Sequence, residues 1–147
     1  MRIIIDGDAC PVINNCIALA RKYQLECLII IDTSHQINSE YARVIIVDKG
    51  NDSVDYYLVN MLKDNDIVIT QDYGLASMCL SYKCIVLNQN GLRYDIKNIN
   101  ALLMQRAISQ KIRKSGKRVK GPSKRTIKDN NDFDKSLEEV ILLNINK

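Results

Sequence analysis

The sequence predicts a three-layer α/β domain built on a mostly parallel five-stranded sheet flanked by helices. Three observations carry this. Arg2–Asp6, Glu26–Asp32, Arg43–Asp48, Asp66–Thr70 and Cys84–Asn88 are short runs, near-continuous in Ile, Val and Leu, as in strands covered on both faces. Helix-like segments separate most of them, and such alternation implies parallel crossovers in a doubly wound sheet. The 147 residues suit one compact domain with one core.

The elements follow in order. After the first strand, Ile13, Ile17 and Ala20 form an apolar stripe behind Pro11, a residue suited to a first helical turn. Thr33 to Tyr41 is too short for an ordinary crossover helix. It holds one turn of helix or joins antiparallel strands. Val54, Leu58, Met61 and Leu62 recur with helical spacing. Leu75–Tyr82 reads as a short third helix and Ile99–Lys114 as a longer fourth. Lys114–Thr126 (KSGKRVKGPSKRT) is rich in Gly and cations and reads as an exposed, mobile loop. A last amphipathic helix spans Asp132–Ile145, with Phe133, Leu137, Val140 and Ile141 on one face.

Composition narrows the function classes. Hydrophobic residues at 46% and charged residues at 26% exclude a disordered chain. No apolar run approaches the roughly 18 residues of a membrane span. Met1 and Arg2 lead through three Ile directly to Asp6, unlike a signal peptide, so a cytoplasmic protein is expected. Five cysteines, odd in number and without a CxxC, argue for free, mostly buried thiols. His35, the single histidine, has no evident link to Cys10, so a Cys/His enzyme is not favoured.

Charge is segregated. Residues 101–128 hold ten Lys or Arg and no acid, whereas residues 1–100 hold nine against twelve acids. A basic segment on an acidic body suggests an anionic partner. Arg106, Arg113, Lys114, Lys117, Arg118 and Lys120 are the candidates for holding phosphates. A solvated surface run accounts for the same pattern about equally well.

The acidic residues supply the candidate chemistry. Asp6 and Asp8 follow the first strand in Ile5-Asp6-Gly7-Asp8-Ala9-Cys10-Pro11, and ligands of open α/β sheets bind beyond the carboxyl ends of strands. Helix capping competes with that reading. If Pro11 opens the helix, however, Cys10 takes the cap and Asp8 is spare. Asp52 and Asp55 share one face of a helix's first turn. Asp52 reads as a cap, and Asp55 points inward beside Val59. Asp72 ends the fourth strand, as Asp6 ends the first. Clustered carboxylates raise one another's pKa, and a cation relieves the repulsion. Mg²⁺ or Mn²⁺ suits such an all-oxygen site, which could serve hydrolysis at a phosphate. Asp48 and Asp66 are set aside as solvated or structural, with Asp66 at the opposite edge of the sheet.

Asp6-Gly7-Asp8-Ala9-Cys10-Pro11-Val12, Gly50-Asn51-Asp52-Ser53-Val54-Asp55, Asp66 through Ala76, Asn98-Ile99, Gly116-Lys117-Arg118 and Gly121-Pro122 together resemble the YaiI/YqxD family of small bacterial proteins over nearly the whole chain. Gly7 stands where that family usually has Ala, Ser123-Lys124-Arg125 replaces a Lys-Pro-Phe stretch, and Asn130 stands where Arg is frequent. The family is in turn similar to PIN-type nucleases. The resemblance implies a PIN-like domain over residues 1–147, with a metal site on Asp6, Asp55 and Asp72 and with Asp8 or Asp52 as a fourth ligand.

The expected function is a metal-dependent, nuclease-like domain acting on RNA or single-stranded nucleic acid, with Mg or Mn as cofactor. Two alternatives stand beside it. One is a nucleic-acid-binding protein without catalysis. The other is a haloacid-dehalogenase-type phosphatase, suggested by Asp6-Gly7-Asp8 and Thr70. It ranks last, because the fifth strand ends in Asn88-Gln89-Asn90-Gly91 without acids.

Overall fold

The structure, a computed structural model, describes residues 1–32, 36–50, 53–119, 121 and 123–145. Five strands, β1 (Arg2–Asp6), β2 (Glu26–Asp32), β3 (Arg43–Val47), β4 (Ile67–Ile69) and β5 (Ile85–Leu87), form one sheet in the order β3-β2-β1-β4-β5. Every pairing is parallel. Five helices accompany them: α1 (Ile13–Lys22), α2 (Ser53–Met61), α3 (Tyr73–Leu80), α4 (Ile96–Lys114) and α5 (Ile127–Asn144).

Alternate strand residues serve opposite faces, as pleating requires. Ile3, Ile5, Ile29, Ile31 and Ile69 pack with Cys16 and Ala20 of α1 and with Phe133 and Leu137 of α5. Ile4, Leu28, Ile30 and Val68 pack with Val54 and Leu58 of α2, Leu75 of α3 and Ile99 of α4. The continuous Ile/Val runs of β1, β2, β4 and β5 thus reflect burial on both faces, which makes the three layers, whereas β3, at the sheet edge, has no buried residue and leaves Ile46 60% exposed.

The β2–β3 connection is parallel although it carries no helix among the described residues. Side chains fill the layer that a helix would occupy. Ala42 is buried, Ile37 packs on the core, and the Tyr41 hydroxyl donates to the carbonyls of Leu25 (2.5 Å) and Ala20 (3.2 Å). Thr33–His35 lie outside the described residues, as do Asp52, Lys120 and Pro122.

Helix starts depart most from expectation. Pro11 is not in the first turn of α1, because Val12 holds the N-cap position without a side-chain cap. Cys10 is therefore not the cap either. α4 begins at Ile96, where Asp95 and Asn98 form a reciprocal capping box. α5 begins at Ile127, since Thr126 and Asp129 form another. Both boxes use an Asx residue at the third helical position in place of the usual Glu or Gln. The segment before α5 is tied down at its far end. Arg125 donates to Asn130 (2.8 Å), Asn90 (2.6 Å) and the Gln89 carbonyl (2.6 Å). Its guanidinium thus ties the β5–α4 loop to α5.

All five cysteines are free, three of them buried. No helix of the described residues is long and apolar enough to cross a membrane.

Candidate active site at the sheet switch point

From β1 the chain proceeds to β2 on one side, and β4 lies on the other. The crevice between β1 and β4 is the topological switch point, where open α/β sheets take ligands. Asp6 ends β1 there, and Thr70 follows β4. The Thr70 hydroxyl donates to Asp6 Oδ2 (2.8 Å) and accepts from the Asp72 backbone N–H (3.0 Å). One buried threonine therefore sets the spacing between the two loops. Gln71 strengthens the link by donating to the Ala9 carbonyl (2.8 Å).

Gly7 sits in a tightly packed path out of β1. Its N–H continues the ladder to the Ile30 carbonyl (2.9 Å). A Cβ at this position would lie 2.6 Å from Ile31 Cγ2 and 2.9 Å from Ile29 Cγ2. An alanine here needs these two isoleucine side chains to shift. Ala9 then takes a left-handed backbone (φ 59°), a conformation costing an L-residue roughly 1–2 kcal/mol. That turn leaves Asp8 half-buried at the crevice, where Asp8 Oδ1 accepts a long hydrogen bond from the Asp32 N–H (3.5 Å).

Asp72 sits beyond β4 as the N-cap of α3, accepting from the Leu75 N–H (3.1 Å). It is thus not a strand-end residue like Asp6. Its helix-capping role occupies Oδ1 on the helix. Asp55 lies in the first turn of α2, half-buried, while Val54 and Leu58 face the sheet.

Asp6, Asp8, Asp55 and Asp72 line one open cavity of about 500 Å³, together with Asp32 and Arg106. Burial pushes the Asp6 carboxyl up to about 6. The Thr70 hydrogen bond opposes that shift, and the negative charges of Asp55, Asp8 and Asp72 add to it. The carboxylates ring the cavity rather than close on a point. Among the described residues no three Asp, Glu, Cys or His side chains gather as a ready-made metal cage. Oxygen donors around an ionisation-resistant Asp6 fit a hard divalent cation held by one or two carboxylates and its own waters.

Arg106 is the basic candidate that the fold brings to the carboxylates. Arg113 and Lys114 occupy the exposed last turn of α4, and Lys117 and Arg118 follow it, also exposed. None of these four lines the cavity. Asp52 and Lys120 lie outside the described residues. Cys10 borders the acidic loop, but burial raises its thiol pKa, the opposite of a poised nucleophile. Sequence reasoning missed Asp32. It ends β2 two residues beyond the Ile30 that pairs with Asp6, and it lines the same cavity, so the criterion that selected Asp6 would have found it too.

The model of the family described as uncharacterized BCR, YaiI/YqxD family, matches residues 4–143. The chain belongs to the YaiI/YqxD family. Among its relatives, a UPF0178 protein of Natranaerobius thermophilus is 46% identical over 143 residues, 97% of each chain. One of Ruminiclostridium cellulolyticum is 48% identical over 137 residues, 93% of this chain and 90% of the relative. One of Lachnoclostridium phytofermentans is 42% identical over 144 residues, 96% and 97%. No solved structure matches the chain.

Proposed function

We propose that this YaiI/YqxD protein is a Mg- or Mn-dependent nuclease-like domain that hydrolyses phosphodiester bonds of RNA or other single-stranded nucleic acid. The supporting observation is the convergence of Asp6, Asp8, Asp55 and Asp72 with Arg106 on one open cavity at the switch point. A bound divalent cation supplies acidified water and charge neutralisation. Asp6 and Asp72, linked through Thr70, would hold the cation, with Asp55 lining the same cavity. Arg106 holds a phosphate oxygen of the scissile group. Arg113, Lys114, Lys117 and Arg118 carry the neighbouring backbone by charge alone, which makes binding fall with salt.

The test is Mn²⁺-dependent cleavage of single-stranded RNA by the wild type and by Asp72→Asn. Asparagine keeps the α3 cap and removes the charge, so folding is preserved. A loss of roughly 100-fold is expected, the scale of a damaged metal site. Equal cleavage by both proteins rejects the role of Asp72.

The loose ring of carboxylates favours one second reading, a nucleic-acid-binding protein without catalysis. Salt-dependent RNA binding with no cleavage under Mg²⁺ or Mn²⁺ would select it.

A further inference from the structure

A second cavity, of about 600 Å³, opens between α2, α3 and α4. It shares Asp55, Asp72 and Arg106 with the acidic cavity, so the two are compartments of one cleft. Their linings differ. Beyond the shared wall the second is built from Tyr56, Val59 and Asn60 of α2 and from Leu75 and Met78 of α3. The α2 residues are spaced i, i+3 and i+4, so they present one side of that helix. Tyr56 is 71% exposed and Met78 44% exposed. An aromatic ring and a thioether stand in solvent beside a charged site. Gly74 lines this cavity, and a Cβ there would lie 3.2 Å from Asp72 Oδ1.

We propose that this compartment is a nucleobase subsite, which takes the base of a nucleotide adjoining the phosphate held in the acidic compartment. The inference rests on the nucleic-acid reading above and deepens it. The chemistry matches a nucleotide part by part. The face of Tyr56 offers stacking for any base, and Met78 offers a polarisable contact beside it. The Asn60 amide carries both donors and acceptors for a base edge. Arg106, lining both compartments, is placed for the intervening phosphate. The volume lies within the range of small-ligand sites, about 300–1,000 Å³. The subsite also selects for strandedness. A base inside a duplex is stacked on both sides and paired along its edge, so only an unpaired base can enter. The aromatic partner absent from the basic segment is therefore supplied by α2, beside the carboxylates.

The test measures binding of a short labelled single-stranded RNA in Mg²⁺, against an abasic chain with the same backbone. Tyr56→Ala is expected to weaken RNA binding about ten-fold, the effect of one lost stacked base. Tyr56→Phe should restore it, and the abasic chain should bind wild type and Tyr56→Ala equally. RNA binding unchanged in Tyr56→Ala overturns the subsite, as does loss that extends equally to the abasic chain. Self-association that Tyr56→Ala abolishes would make a second copy the occupant and also overturn it. Cleavage separates the two readings. Tyr56-dependent binding without cleavage leaves the subsite and rejects the nuclease. Cleavage indifferent to Tyr56→Ala leaves the nuclease and rejects the subsite.

Discussion

Asp6 and Asp66 flank the same two adjacent strands, β1 and β4, at opposite ends. The chain treats them in opposite ways. At the amino end Asp66 is 1% exposed and fully engaged. Arg2 donates to it through Nε (3.0 Å) and Nη2 (2.6 Å), and the Lys63 N–H adds a third bond (2.8 Å). That carboxylate is neutralised inside the fold. At the carboxyl end Asp6 has the Thr70 hydroxyl, with Asp55, Asp8 and Asp72 nearby, and its carboxyl is pushed up to about 6. The difference separates an aspartate that secures the sheet from one whose charge is held at a cost.

The largest effect should come from breaking the secured end. Asp66→Ala strands the Arg2 guanidinium in a largely enclosed position and should lower unfolding stability by about 3–5 kcal/mol, read from urea denaturation. A loss under 1 kcal/mol, typical of an exposed pair, would show that the two ends are not energetically distinct.

The next effect has the opposite sign. Ionised Asp6 is disfavoured in the folded protein, so its cost is complete above a pH of about 6. The cost fades as pH falls through that value toward the unfolded carboxyl range, where both states bind the proton. Asp6→Asn should therefore stabilise the metal-free protein by on the order of 2 kcal/mol at neutral pH. The advantage over wild type should vanish near the ordinary carboxyl pKa, about 4. Denaturation of both proteins across that range, with chelator present, gives the difference directly. A gain independent of pH would remove the titration of Asp6 as its cause.

The smallest effect sharpens the comparison within the site. Asp72→Ala removes the α3 cap and should cost about 1 kcal/mol, whereas Asp72→Asn should cost only a few tenths. Thermal unfolding of the pair isolates the structural share of Asp72. Equal losses would mean that the charge, rather than the cap, holds α3.

Much of this molecule is legible along the chain because four of its five strands are buried on both faces. Five Ile/Val-rich runs with helical stripes between them suffice for the sheet and its layers, and Asp6 and Asp8 are marked by following the first run. Asp66 reads as remote from the site because it opens its strand. Local chemistry explains the misplaced helix starts. Asp95 with Asn98, and Thr126 with Asp129, cap with Asx residues that a search for Glu or Gln passes over. Pro11 is an equally local signal that pointed the wrong way, because Val12 enters the core first.

Other features exist only in three dimensions. β3 runs parallel to β2 across a connection that Tyr41 ties to the carbonyls of Ala20 and Leu25, contacts that no spacing rule anticipates. Arg106 and Arg113 are alike in a charge count, yet one faces the carboxylates and the other lies on the exposed end of α4. Helix rotation and crossing decide that. Tyr56 and Met78 belong to different helices and become one surface only when α2 and α3 pack on the same face of the sheet. By itself, then, the sequence determined the strands, the layers and the acidic loop, because hydrophobic period and strand-end position are properties of short segments. Which carboxylates share a cavity, and which cation and aromatic side chain join them, was decided by tertiary packing, since those distances depend on segments far apart in the chain.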